Sequence, residues 1–189
     1  MRARPALDPE REQARGLPLG RADFAAFRRR GVEGRHLACA RHGVDLVLRD
    51  LVVFGKRQRF GFARHDGGEG PGAVEAYTIP ARDAGGALVD VVAWDPAAGR
   101  LATWLGVVGM LGEDSLWRPL ADKEPLVVHR DPVGWLAAGW RGVVVINDAL
   151  ARPALLGAGT LLTQDIAHGE AVEAMLRKVR MPRILVEAP

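Results

Sequence analysis

Asp131, Asp148 and Asp165 each follow an apolar run in the last third of the chain, and His168 and Glu170 stand within a helical turn of the third. Carboxylates gathered at one edge of a sheet would hold Mg²⁺, a cation that prefers oxygen ligands. His168 would then act as the acid or base of a phosphoryl-transfer or nuclease-like reaction. The competing use is structural, since an aspartate between a strand and a helix also caps that helix. Mg²⁺ belongs to the enzymatic reading alone; otherwise no cofactor is expected. A second set, His36, Cys39 and His42, has the pattern H-x2-C-x2-H, with His65 further on. Zinc needs about four nitrogen or sulfur ligands converging as a tetrahedron. Positions i, i+3 and i+6 of a helix do not point one way, and no second CxxC or HxxH pair completes a ribbon. The plainer reading is a small buried cysteine flanked by surface histidines. Ser115 lies in no nucleophile elbow. The glycines of GGEGPG lack the helix and lysine that a phosphate loop needs.

The elements that must position the acids are legible as an alternation. PLVVHR (125–130), GVVVIN (142–147), TLLTQD (160–165) and RILVEA (183–188) are apolar runs of strand length. Between them, DPVGWLAAGW (131–140), DALARPALLGAG (148–159) and IAHGEAVEAMLRKV (166–179) carry helix signals: Asp-Pro at a start, Gly at a stop. Strands alternating with helices imply crossover units and a parallel sheet, whose chemistry collects where strands end and helices begin. Upstream, AYTIPA (76–81), ALVDVVAWDP (87–96) and RLATWLG (100–106) read as an antiparallel meander joined by Asp- and Gly-rich turns. The fold class is α/β: a small, mainly parallel four-stranded unit at 124–189, preceded by the meander at 74–123 and a basic helix and strand region at 21–66. Residues 1–20, rich in proline and charge, are expected to form a flexible arm. The span 74–189 also reads as one domain. Helix 21–31 places Phe24 and Phe27 on one face, and Trp135 and Trp140, five apart, cannot share one core stripe, which leaves one exposed for a partner.

Charge is distributed unevenly. Residues 1–66 hold 15 Lys+Arg against 8 Asp+Glu, while the rest of the chain holds 11 against 15. A basic portion beside an acidic one faces polyanions. Arg28, Arg29, Arg30, Arg35, Lys56, Arg57 and Arg59 are the residues that would contact phosphates. For the run 28–30 a helix C-terminus is a sufficient structural reason, because the dipole there favours cations. The single Cys39 cannot form an intrachain disulfide. No apolar run reaches membrane-spanning length and the N-terminus has no signal-like core, so a cytoplasmic protein with no membrane partner is expected.

The order of elements from Pro125 to Ala188 is similar to the Toprim domain of primases and topoisomerases, and the resemblance covers roughly residues 74–189. Upstream of that domain, phage and plasmid primases carry a phrase like I-P-x-x-D-x-x-G-x-L-V. Here it reads Ile79-Pro80-Ala81-Arg82-Asp83-Ala84-Gly85-Gly86-Ala87-Leu88-Val89. The chain departs at the acids: the strand-one Glu-Gly of the family falls on His129-Arg130, and its Asp-x-Asp, anchored on Gly169, falls on Gln164, Asp165 and Ile166. A cationic pair in place of the glutamate repels the metal such a centre needs. The resemblance therefore implies a degenerate, primase-related, non-enzymatic protein of bacterial or phage-derived origin that binds nucleic acid or a DNA-processing partner. The alternatives are the Mg²⁺ enzyme of the strand-end acids and a structural protein-interaction module.

Overall fold

The computed structural model describes residues 7–41, 45–66, 72–116 and 124–178. Two sheets carry the fold. The first has five antiparallel strands in the order β4-β3-β5-β6-β7, from β3 (Leu48–Phe54), β4 (Phe60–Phe62), β5 (Ala73–Arg82), β6 (Leu88–Asp95) and β7 (Arg100–Thr103). The predicted meander is β5 to β7, and the basic strand region adds β3 and β4 to the same sheet. The sheet curls until its edges meet. Arg59 bridges Thr103, and Thr103 N donates to Gln58 O at 2.9 Å.

That curl explains the sequence of β6. Val91 and Ala93 face inward onto Val52, Phe62, Ala76 and Ala102, while Val92 and Trp94 face outward onto Phe27, Ile79 and Ala81. Both faces of the strand are covered, so its middle, Val91–Trp94, reads as an apolar run rather than an alternation. Asp90 fixes the exit from the sheet. Fully buried, its carboxylate accepts from Val91 N at 2.8 Å, Leu105 N at 2.8 Å and Val107 N at 3.0 Å. Asp83, from the primase-like phrase, serves the β5–β6 turn by accepting from Gly85 N and Ala87 N.

The second sheet runs β11-β9-β10-β8, from β8 (Met110–Leu111), β9 (Leu126–His129), β10 (Val143–Val145) and β11 (Leu161–Thr163). β9, β10 and β11 are parallel, and β8 pairs antiparallel with β10. Three strands stand where the apolar runs predict them. The fourth in the structure is β8, while the expected strand 183–188 lies outside the described residues. Helix α3 (Pro132–Ala137) joins the core shared with the first sheet through Trp135 and Leu136, whereas α4 (Asp148–Leu156) and α5 (Ile166–Arg177) cover the opposite face with Ala151, Leu155, Val172 and Met175. Gly109 allows the close approach of α4, since a Cβ there would overlap the backbone of Leu150 and Ala151.

At the N-terminal side, α1 (Pro9–Gln13) is capped by Asp8, and Gln13 Nε2 donates to Leu46 O at 3.0 Å. Leu17 then bridges Arg49, so the stretch expected as an arm is docked from Asp8 onward. Helix α2 (Arg21–Arg29) is followed by a 3-10 turn (Gly34–Leu37) and a two-residue ladder of β1 (Ala38–Cys39) with β2 (Asp45–Leu46). Further 3-10 turns span Ala63–Asp66 and Glu113–Ser115. Phe27 is buried but Phe24 is 45% exposed, so the two do not share the core face the spacing implied.

The tryptophan expectation is also corrected. Trp135 and Trp140 are both buried, with ring centroids 4.7 Å apart. The helix ends at Ala137, and Trp140 turns back in a left-handed conformation, φ 64°, to donate to His36 O at 2.8 Å. A helical spacing argument fails once the chain leaves the helix. Two partly buried ion pairs join distant segments, Arg82 bidentate on Asp45 at 2.7 Å and Arg41 on Asp114 at 2.8 Å. Among the described residues no helix is long and apolar enough to cross a membrane.

Candidate nucleic-acid interface

Helix α2 is held against the outer face of the first sheet by its own sequence. Asp23 accepts from Gly20 N at 2.7 Å and from the Tyr77 hydroxyl at 3.0 Å, and Phe27 packs on Tyr77 with centroids 4.7 Å apart. Gly31, at φ 83°, ends the helix. Gly31 N returns to Arg28 O and Val32 N to Phe27 O, a Schellman-type close. With one face pinned and the end fixed, Arg28 and Arg29 project into solvent, and the Arg30 guanidinium lies 6.0 Å from the Trp94 ring centroid.

The second basic group sits on the β3–β4 turn. Arg59 N donates to Lys56 O, with Arg57 at φ 57° and Gln58 at φ 55°, the geometry of a type I′ hairpin turn built without glycine. Arg59 anchors this turn, its Nε donating to Trp104 O at 2.9 Å. Arg100 stacks over Phe54 at 4.4 Å, just before the turn, while paired with Asp95 at 2.8 Å. The β6–β7 hairpin thus lies between the two groups, meeting Arg30 through Trp94 and the Lys56–Arg57 turn through Arg100.

Ion pairing sorts the expected phosphate contacts. Arg35 pairs with Glu33 at 3.1 Å, and Arg59 is committed to a carbonyl. Arg28, Arg29, Arg30, Lys56 and Arg57 are exposed and have no carboxylate partner among the described residues. Four other arginines of the N-terminal portion are engaged, Arg64 with Glu12 and Asp50, Arg49 with Asp23, Arg15 with Glu12 and Arg41 with Asp114, whereas Arg11 and Arg21 are exposed and, like the five, have no carboxylate partner among the described residues.

Two of the three strand-end aspartates take up capping positions. Asp131 caps α3 by accepting from Gly134 N at 3.1 Å, and Asp165 caps α5 by accepting from His168 N at 2.9 Å. The cap of α4 is Asn147, which accepts from Ala149 N and Leu150 N, and Asp148 is already the first helical residue. Arg130 closes on Asp165 at 2.6 Å. The His168 amide first, and Arg130 after it, hold the Asp165 carboxyl below the usual carboxylate range. Burial pushes the His168 imidazole down, and Arg130 adds to that. Glu170 is exposed, with no polar partner among the described residues. No three His, Cys, Asp or Glu side chains among the described residues converge on a point where a metal would sit.

Of the zinc candidates, His36 has its ring nitrogens 3.4 Å from Glu33 N and 3.3 Å from Arg35 Nε. Cys39 is half-buried in β1, and His42 lies outside the described residues.

Strand ends and cations meet at a groove. A cleft of about 390 Å³ runs between the end of α2, the β6–β7 turn and the start of α3, lined by Arg30, Trp94, Leu101, Arg130, Asp131 and Val133 among others. Sequence reasoning missed Arg130 as a member of a site. The signal was present in His129-Arg130 standing where a glutamate was expected. At the same edge, α3 and α5 leave β9 and β11 toward opposite faces of the sheet, the arrangement that opens a crevice at strand ends. No family model, curated protein or solved structure matches the chain.

Proposed function

We propose that this chain is a Toprim-like, non-enzymatic protein that binds nucleic acid through the phosphate backbone. The observation that carries this reading is the grouping of five exposed cations, Arg28, Arg29 and Arg30 at the end of α2 and Lys56 and Arg57 on the β3–β4 turn, none with a carboxylate partner among the described residues. A cation already neutralised by a carboxylate gains little from a phosphate; a free one releases a DNA counterion on contact. The run of β9-α3-β10-α4-β11-α5 with parallel strands supports the Toprim-like part of the reading. The Arg130–Asp165 pair supports the non-enzymatic part, because a guanidinium competes there with any metal for the carboxylate.

The test is fluorescence anisotropy with labelled DNA over a range of salt, with and without Mg²⁺. Five phosphate contacts give a slope of log K against log salt of about −4 to −5 on duplex DNA. Replacing Arg28, Arg29, Lys56 and Arg57 together by alanine should flatten that slope by about 3 to 4. Absent or salt-independent binding overturns the proposal, and binding or cleavage that requires Mg²⁺ returns the argument to the strand-end acids.

A further inference from the structure

The groove beside Arg30 has a chemistry that a plain phosphate contact does not need. Its cationic side is Arg30, which has no carboxylate partner among the described residues, while Arg130 on the other side is paired with Asp165 at 2.6 Å. Its walls are apolar and aromatic: Trp94 and Leu101 from the first sheet, Pro132 and Val133 from α3. Its volume of about 390 Å³ is of the order of a small-ligand pocket. One acid is among the lining residues, Asp131, whose carboxylate accepts from Gly134 N at 3.1 Å. The Arg30 guanidinium also belongs to the free cation row of α2, so a chain of phosphates along that row leads to the groove.

We propose that this groove takes one unpaired nucleotide of a single-stranded nucleic acid, with its phosphate at Arg30 and the base against Leu101, Pro132 and Val133. The proposal rests on the nucleic-acid reading above and adds the strand class to it. Duplex DNA keeps its bases stacked and offers the protein only phosphates at this position. A single strand can turn a base into an apolar slot, and such contacts are tolerant of sequence because every base has an apolar face.

The test compares a short oligothymidylate, a short oligouridylate and a duplex of equal length by anisotropy. The wild-type protein should hold the single strands about tenfold more tightly than the duplex, and the thymidylate and uridylate arms separate DNA from RNA as the source of the strand. Val133→Trp fills the groove and should abolish the preference while leaving duplex binding unchanged. Leu101→Trp fills it from the opposite wall and serves if the first variant does not fold. Thymidine monophosphate should displace the single strand from the wild-type protein where inorganic phosphate at equal ionic strength does not. A strand preference that survives a filled groove, or equal binding of single strand and duplex, overturns the groove and leaves the cation row standing. Failure of every nucleic acid to bind removes both.

Discussion

Arg130 and Asp165 meet at 2.6 Å across the ends of the neighbouring strands β9 and β11. Asp165 also caps α5 through His168 N, so one carboxylate both orders a helix start and neutralises a guanidinium. Both side chains are about half exposed, and such a pair adds little to stability. Asp165→Asn keeps a capping oxygen and loses only the charge; Asp165→Ala loses both. In thermal unfolding, the asparagine variant should melt close to the wild type and the alanine variant clearly below it. The opposite order would mean that the ion pair, rather than the cap, orders the strand ends.

The other carboxylate with several duties is Asp90, and its position is the reverse of exposed. Three backbone N–H groups point at it from inside the fold. Asp90→Ala leaves those donors buried without acceptors, at a cost of about 3–5 kcal/mol. Urea unfolding should show the midpoint falling accordingly, with Asp90→Asn between the two because its amide can accept but is not charged. A loss under 1 kcal/mol for the alanine variant would mean that water reaches the site.

Much of the second sheet was legible because its signals are local. Asp-Pro before α3, the apolar triplet Val143–Val145 and the aspartate before α5 each mark an element within a residue or two of where it stands. What was not legible depends on distant partners. The curl that joins Arg59 to Thr103, the antiparallel β8 and the burial of Trp140 all follow from contacts between segments far apart in the chain. The candidate interface shows the same division. The sequence displays seven cations alike, but Arg35 is paired with Glu33, Arg59 is spent on Trp104 O, and Arg64, not among the seven, meets Glu12 fifty-two residues away. Sorting free from engaged charges requires the fold.

His129 carries a pH dependence that the same fold dictates. The residue is buried at the end of β9, and its Nε2 faces the carbonyl oxygen of Arg141 at 2.9 Å, which places the proton of the neutral ring on that nitrogen. Its Nδ1 is buried beside Gly134 and has no hydrogen-bond partner among the described residues. Burial pushes the imidazole below its ordinary value, although the Arg141 carbonyl and Asp131 pull the other way. The folded state therefore resists protonation more than the unfolded one. Stability is fully present above the unfolded pKa of 6.5 and is lost as pH falls below it. His168 shifts in the same direction, so the measurement is a difference. Unfolding free energies of the wild type and His129→Gln should converge on acidification, the wild type losing more between neutral pH and pH of about 5. Parallel pH profiles would show that His129 is not the group that titrates.

The chain has one tyrosine, which makes the α2 contact directly observable. Burial first, and the hydrogen bond to Asp23 second, push the Tyr77 phenol from 10 up to about 12. Below pH 10 both folded and unfolded chains keep the proton, and this contribution to stability is intact. As pH rises from 10 through about 12 the unfolded chain ionises first, and the contribution is lost. Tyrosinate absorbance should therefore appear near pH 10 in denaturant but about two units higher in the folded protein. Asp23→Asn removes the negative charge beside the phenol and should lower the folded value. The same substitution loosens the N-terminus of α2, whose far end presents Arg28, Arg29 and Arg30, so DNA affinity should fall with it although no phosphate-contacting residue has changed. A folded-state titration near 10 would mean that Asp23 does not hold Tyr77, and that α2 is not fixed on the sheet through this contact.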